Sequence, residues 1–167
     1  MLLRHDRTGR SVVLVPRTDK GSRVVAVAPE KAYAALVDPA ALAQWLPPAG
    51  MTGRIERFDL RPGGSYRMVL TYADPSVSRG KSTADSDIVE ARFLDILPGV
   101  RVVYAADFMA DDPAYASTMT MTWEVTAVAG GTRVDITADN VPDVVSPEDH
   151  AAGMTSSLRN LADYLEK

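Results

Sequence analysis

The hydrophobic pattern of this chain changes period along its length, and that change constrains the fold more than any other feature. In STMTMTWEVT, residues 117–126, Met119, Met121 and Trp123 share one side of an extended chain, and threonines alternate with them on the other side. Alternation of this kind with β-branched residues is typical of a half-buried β-strand. The stretch therefore predicts a strand whose apolar face points into either a packed core or a cavity.

The C-terminal residues follow the period of a helix instead. Ser146 is a capping residue, Pro147 takes the first helical position, and Asp149 is an acid three residues after the cap, which together favour a helix start. Beyond this start, one narrow stripe of the helix consists of His150, Met154, Leu158, Leu161 and Leu165. A long amphipathic helix is therefore predicted to end the chain.

Turn residues divide the rest of the chain into short elements. A strand at residues 22–27 precedes two short helices, which Pro39 separates and Pro47 ends. Alternating segments between glycine and proline turns predict further strands at residues 54–60, 65–72, 88–97, 100–108, 117–126 and 132–139. This order predicts an α+β fold, and because one helix covers a sheet less tightly than a second sheet would, a cavity is expected between them.

Composition limits the classes of function. The chain has 167 residues, of which 46% are hydrophobic, as expected for one globular domain. Its net charge is -4, and residues 1–23 carry six basic and two acidic side chains, so +4 there leaves -8 for the remainder. An acidic body predicts no binding of nucleic acid or of an anionic membrane.

The absence of cysteine excludes disulfides and thiolate chemistry. No signal peptide or membrane helix is recognisable, which predicts a soluble, cytoplasmic protein. We expect residues 1–19 to form an extension that is either flexible or an added edge strand, and residues 20–167 to form the single domain.

Five segments, in this order, resemble a known family: VAPEKAYAALVDPAALAQWL, FDLRPGGSYRM, EARFLDILPGVRVVYA, MTWEVTAVAGGTRVDI and GMTSSLRNLADYLEK. Residues 20–167 resemble the helix-grip, or START-like (SRPBCC), superfamily, and within it the AHSA type, the homologues of the chaperone ATPase activator. The resemblance implies a START/Bet v-like fold, in which a curved antiparallel sheet of six to seven strands wraps around the C-terminal helix, with two short helices after the first strand.

The resemblance also implies a largely apolar cavity, since members bind lipids, sterols, polyketides or plant hormones, and some cyclise or dehydrate polyketides. Where such proteins often have a Gly-Trp pair on the last helix, this chain has Gly153 and Met154. Methionine makes that wall softer and more adaptable.

On this interpretation the cavity binds a hydrophobic or aromatic small molecule, lipid- or polyketide-like, that few polar groups orient. Packing of the same side chains in an ordinary core is the alternative. Phe93 is assigned with less support because the alternation slips near Leu94. The predicted ligand-binding residues are Trp45, Met68, Leu70, Tyr72, Phe93, Tyr104, Phe108, Met119, Met121, Trp123, His150, Met154 and Leu158.

His150 is the candidate catalytic residue because an imidazole titrates near neutral pH. It is either a solvated first-turn histidine beside Asp149 or an acid or base at the cavity mouth. No partner nucleophile or base is recognisable at a fixed spacing, so binding without catalysis is the first hypothesis. A polyketide cyclase- or dehydratase-like enzyme that uses His150 or a pocket tyrosine is the alternative.

A chaperone co-factor or regulatory interaction module is the second alternative, and a homodimer through edge strands is compatible with the pattern. The paired acids, such as Asp111 and Asp112, are interpreted as solvated loop charges, since no histidine cluster accompanies them. No metal or other cofactor is therefore expected.

Overall fold

The computed structural model describes residues 2–5, 8, 11–14, 17–72, 86–108, 117–143 and 145–167, with side chains described at 8, 17–72, 88–106, 118–143 and 145–167. Its elements in chain order are β1 (Leu2–His5), β2 (Ser11–Leu14), β3 (Arg17–Val25), α1 (Pro29–Val37), α2 (Pro39–Trp45), β4 (Met51–Phe58), β5 (Ser65–Tyr72), β6 (Ser86–Leu97), β7 (Arg101–Phe108), β8 (Ser117–Val128), β9 (Gly131–Val141) and α3 (Pro147–Leu165).

Seven of the strands form one antiparallel sheet in the order β3-β9-β8-β7-β6-β5-β4. Strands β4 to β9 each pair with their neighbour in sequence, and β3 pairs with β9, so the first and last strands of the sheet lie side by side. Strands β1 and β2 pair only with each other in a separate two-stranded sheet. The predicted α+β, helix-grip fold is confirmed.

Proline and aspartate define the two short helices as the sequence predicts. Pro29 and Pro39 take early helical positions, where a missing N–H costs nothing. Asp38 ends α1 and caps α2, because its side chain accepts a hydrogen bond from the Ala40 backbone N–H at 3.0 Å.

Strand boundaries differ from the prediction at the N-terminus of the sheet. β3 begins at Arg17, before the predicted start at residue 22, and Asp19 pairs with Ala138 of β9. Residues 17–19, which the sequence assigned to the extension, therefore belong to the sheet. The side chains of residues 17–20 are polar, so the sequence shows no apolar alternation there. Backbone pairing does not need such an alternation, and the strand forms without it. The slip in β6 is confirmed as a register shift between Phe93 and Asp95.

The core lies between the sheet and the helices. Buried side chains of α3 pack with the inward row of β8 and β9 and with side chains of α1 and α2. The members are Met154, Leu158, Leu161 and Leu165 on α3, Trp123, Val125, Val134 and Ile136 on the strands, and Ala32, Leu36, Leu42 and Trp45 on the short helices. None of the helices in the described part of the chain is long and apolar enough to span a membrane.

Gly21 allows α3 to lie close against the sheet. A Cβ atom at this position would lie 3.4 Å from Met154 Cβ and 3.5 Å from Leu158 Cδ1. A single methyl group fits at the limit of ordinary contact, and any larger side chain would push the helix away. A small residue at position 21 is therefore needed for the close packing of α3 on β3.

We predict that Gly21→Leu lowers the free energy of unfolding by about 2 kcal/mol, because the added side chain overpacks the contact with α3. Urea denaturation measures this loss. Ser22→Leu is the matched control, since Ser22 is exposed on the same strand and its substitution should change stability by less than about 0.5 kcal/mol. Equal losses in the two variants would contradict the role assigned to Gly21.

Candidate functional site

A cleft of about 290 Å³ lies between α3 and the sheet. Its floor is apolar and comes from β8 and β9, one wall comes from α3, and the lip comes from the segment after α2. The lining residues are Met121, Trp123 and Ile136 on the floor, His150, Gly153, Met154, Ser156, Ser157 and Asn160 on α3, and Leu46 and Pro48 at the lip. A space of this size and lining suits an apolar small molecule.

Deeper in the molecule lies a second, much smaller cavity of about 20 Å³, which is room for about one water molecule. Leu46 and Trp123 line both spaces and form their common wall. The inner cavity is lined by Leu36, Leu42, Trp45, Leu46, Tyr66, Phe93, Val102, Tyr104 and Trp123.

Aromatic side chains fill the space around this inner cavity. The rings of Trp45 and Trp123 meet edge to face with centroids 5.4 Å apart, and Tyr66 lies 5.9 Å from Tyr104 in the same manner. The indole N–H of Trp45 donates to the Ala35 carbonyl oxygen at 2.9 Å, which ties α2 to α1. This half of the gap between helices and sheet is therefore a packed core.

Tyr104 is the polar centre of the inner cavity. Its hydroxyl oxygen accepts a hydrogen bond from Trp123 Nε1 at 3.1 Å and a second one from the Tyr66 hydroxyl. Burial raises the pKa of Tyr104 in spite of these two bonds, and burial together with Tyr104 raises the pKa of Tyr66 well above its ordinary value. Both phenols therefore stay protonated at neutral pH, and neither acts as a base.

His150 lies at the mouth of the cleft and is mostly buried. Its side chain is 16% exposed, and its Nδ1 lies 2.7 Å from Oδ2 of Asp19, whose side chain is 13% exposed. The interpretation of His150 as a solvated first-turn residue is therefore wrong. The N-terminal part of β3 makes this contact possible. Asp19 belongs to the sheet because β3 begins at Arg17 and not at the predicted residue 22.

Arg17 completes the polar group at the mouth. Its Nε and Nη2 donate to the two oxygens of Asp19, each at 3.0 Å, and Nη2 also donates to the Val145 carbonyl oxygen at 2.6 Å. Burial by itself raises the pKa of Asp19, but the hydrogen bonds from His150 and Arg17 outweigh it and hold that pKa below the ordinary 3.8. Asp19 is therefore a carboxylate that binds an arginine and a histidine at once.

Four of the sequence-predicted residues meet in the cleft, namely Met121, Trp123, His150 and Met154. Around the inner cavity are Trp45, Phe93 and Tyr104, together with Trp123. Met68 and Leu158 are buried in the core, and Leu70, Tyr72 and Met119 are half-buried and line neither space. The side chain of Phe108 lies outside the described residues.

The polar partners of His150 and part of the cleft wall could not be predicted from the sequence. Arg17 and Asp19 were assigned to the extension, and Ser156, Ser157 and Asn160 lie off the apolar stripe of α3. Only Ile136 had a usable signal, since it alternates with Val134 along β9. Within the described part of the chain, no three acidic or histidine side chains are grouped closely enough to hold a metal ion.

Comparison with known sequences places this architecture in a family. The sequence profile of the family described as "Activator of Hsp90 ATPase homolog 1-like protein" matches residues 26–166. No protein with curated annotation matches the chain significantly.

Solved structures with the same fold cover nearly the whole chain. A protein from Chromobacterium violaceum is 31% identical, with a TM-score of 0.76 over 90% of this chain and 97% of its own. An AHSA1 protein from Silicibacter pomeroyi is 24% identical, with a TM-score of 0.71 over 90% and 98%. An AHSA1-like protein from Aeromonas hydrophila is 18% identical, with a TM-score of 0.72 over 90% and 92%. The last two similarities show the fold alone.

The lowered pKa of Asp19 predicts how its contribution to stability depends on pH. Because the folded-state pKa lies below the unfolded value, the stabilisation is present above about pH 4 and is lost as pH falls through the folded-state pKa. We expect Asp19→Asn to lower the free energy of unfolding by about 2 kcal/mol at neutral pH, and the difference from wild type to shrink below about pH 4.

Urea denaturation of both proteins from about pH 7 to pH 3 measures this difference. Asp163→Asn, at an exposed position of α3, is the control and should change stability little. A difference between wild type and Asp19→Asn that stays constant over this range would contradict the assignment of an ionised Asp19.

Proposed function

Since the chain belongs to the AHSA1 family, a family of helix-grip proteins, we propose that it binds an apolar or aromatic small molecule in the cleft between α3 and strands β8 and β9. The single observation that supports this most is the cleft itself. Its volume of about 290 Å³ is close to the lower bound of about 300 Å³ for typical ligand sites.

The lining favours an apolar guest. Met121, Trp123 and Ile136 present a thioether, an indole and an aliphatic side chain on the floor, and Met154 faces the cleft from α3. Methionine side chains adjust to ligands of different shape, because they are unbranched and polarisable. The indole N–H of Trp123 already donates to Tyr104, so the floor offers a guest mainly apolar surface.

Gly153 keeps the α3 side of the cleft open. A Cβ atom built at this position meets nothing within 4 Å, so no packing constraint requires a glycine there. Glycine inside a helix costs about 1 kcal/mol relative to alanine. Gly153 therefore lowers the stability of α3 and leaves more space in the cleft than a larger residue would, which is consistent with a site for a ligand.

We expect Gly153→Trp to weaken binding of the neutral fluorescent probe N-phenyl-1-naphthylamine at least about tenfold, because the indole would fill the cleft. Ala152→Trp is the matched control, since Ala152 is exposed on the same helix and does not line the cleft. Fluorescence titration measures both affinities, and native mass spectrometry of the purified wild type reports any co-purified ligand. Equal affinities in the two variants, or no binding to wild type, would contradict the proposal.

Catalysis is a second candidate function, and one observation favours it. A carboxylate orients the imidazole of His150, which lines an apolar cleft, and this is an arrangement that general bases use. For an aryl ketone of polyketide type, Nε2 would take a proton from the carbon next to the carbonyl and leave an enolate. The imidazolium would then return a proton to that carbon.

We expect the protein to accelerate exchange of the methyl protons of 2-acetonaphthone in D2O, and His150→Asn to reduce the acceleration about 100-fold or more, within the usual contribution of a general base. Loss of the methyl signal in proton NMR measures the rate. Exchange at the buffer rate in the presence of wild type would rule out this function and would leave the binding proposal standing.

A further inference from the structure

This inference rests on the proposed function and concerns the chemical class of the ligand. From the bonding of His150 we infer that the cleft selects apolar ligands that carry a hydroxyl group, such as phenols and enols, over analogues that lack the hydroxyl and over carboxylates. Three properties of the site would produce this selectivity: the ring nitrogen of His150 that holds the hydrogen, the unpaired Nε2, and the charges around the imidazole.

Asp19 determines the tautomer of His150. An ionised carboxylate only accepts hydrogen bonds, so the nitrogen 2.7 Å from it, Nδ1, must be the donor. In the neutral ring, Nε2 is then an acceptor with a free lone pair. Arg17 strengthens this assignment, because its two hydrogen bonds keep the carboxylate charged and fixed in place.

Nε2 has no hydrogen-bond partner among the described residues, and His150 lines the cleft. In the free protein, water can serve this nitrogen. An apolar ligand that displaces the water and brings no donor leaves a desolvated acceptor unpaired, which weakens its binding. A ligand with a hydroxyl group restores the hydrogen bond, and for this reason sites built around a polar group discriminate strongly against analogues that lack it.

The charges around the imidazole argue against a carboxylate ligand. The first turn of α3 contributes Glu148 and Asp149, and β3 contributes Asp19. Arg17 is the positive charge bound to this group, where it is already engaged by Asp19 and Val145. A carboxylate placed at Nε2 would add a further negative charge beside these acids, whereas a hydroxyl group adds none.

Together these features define one binding mode. The apolar body of the ligand lies on Met121, Trp123 and Ile136, beneath Met154, and its hydroxyl donates to His150 Nε2 at the mouth. A flat aromatic alcohol of two rings is small enough for the cleft of about 290 Å³ and has one polar atom at one end of the molecule.

Three matched naphthalenes test the selectivity on the full-length protein: 2-naphthol, 2-methoxynaphthalene and 2-naphthoate. Each compound competes with N-phenyl-1-naphthylamine in a fluorescence titration at neutral pH. We expect the dissociation constant of 2-naphthol to be about tenfold lower than that of either other compound. If 2-methoxynaphthalene or 2-naphthoate binds as tightly as 2-naphthol, the inference is overturned and apolar binding stands. If none of the three binds, the proposed function fails together with the inference.

His150→Asn separates the ligand contact from the structural one. The asparagine amide can still donate to Asp19 in place of Nδ1, but it places no acceptor where Nε2 was. We expect this variant to lose the preference for 2-naphthol and to bind 2-methoxynaphthalene as wild type does. Thr155→Asn introduces the same residue at an exposed α3 position outside the cleft and should keep the preference. A preference that persists in His150→Asn overturns the inference.

Nitrogen-15 NMR of the histidine ring gives a readout that needs no variant. In the free protein we expect the hydrogen on Nδ1, and on addition of 2-naphthol a shift of the Nε2 resonance with Nδ1 nearly unchanged. A free protein with the hydrogen on Nε2, or a titration that leaves Nε2 unmoved, overturns the inference even if the asparagine variant does not fold.

Discussion

The close contact between α3 and β3 at Gly21 is the constraint on which the rest of the structure depends. A Cβ atom at this position would already be in van der Waals contact with Met154 and Leu158, so α3 lies too close to β3 for a large side chain here. The same approach brings the first turn of α3 down to the sheet, where His150 meets Asp19 at 2.7 Å. Packing in the middle of the helix and the polar contact at its start are therefore two results of one geometric condition.

Although α3 lies close over β3, it does not fill the gap above β8. The gap is divided into two spaces with different contents. Toward α1 and α2 it is filled by aromatic rings around a cavity of about 20 Å³, and along α3 it stays open as the cleft of about 290 Å³. Trp123 belongs to both spaces, because its ring packs on Trp45 while it lines the cleft.

The polar groups follow the same division. Tyr66, Tyr104 and Trp123 satisfy one another inside the aromatic half, where burial keeps the phenols protonated. Arg17, Asp19 and His150 form a charged group at the open end, where the ionised carboxylate stays stable because two donors serve it. The polar groups of the interior therefore bond to one another, whereas the group at the mouth leaves His150 Nε2 without a partner among the described residues.

The sequence by itself determined the elements, because their signals are local. Alternation identified β5 and β8, proline and a capping serine identified the start of α3, and the slip near Leu94 marked the register shift of β6. Local patterns also identified Met121, Trp123 and Met154 as inward-facing residues, although the same pattern fits Met68, which is core. The period of a hydrophobic pattern indicates which side of a helix or strand is buried. It does not indicate whether the space on that side is filled by side chains or left open.

Only the tertiary structure decided the site. The partnership of Asp19 with His150 joins residues 131 positions apart through the pairing of β3 with β9, and no apolar pattern marks the polar start of β3. The open space beside Gly153 is likewise invisible in the sequence, because a glycine in a sequence indicates backbone freedom and not what surrounds it. Long-range register and the volumes left between packed elements depend on all the side chains together, and for that reason they appear only when the chain is folded.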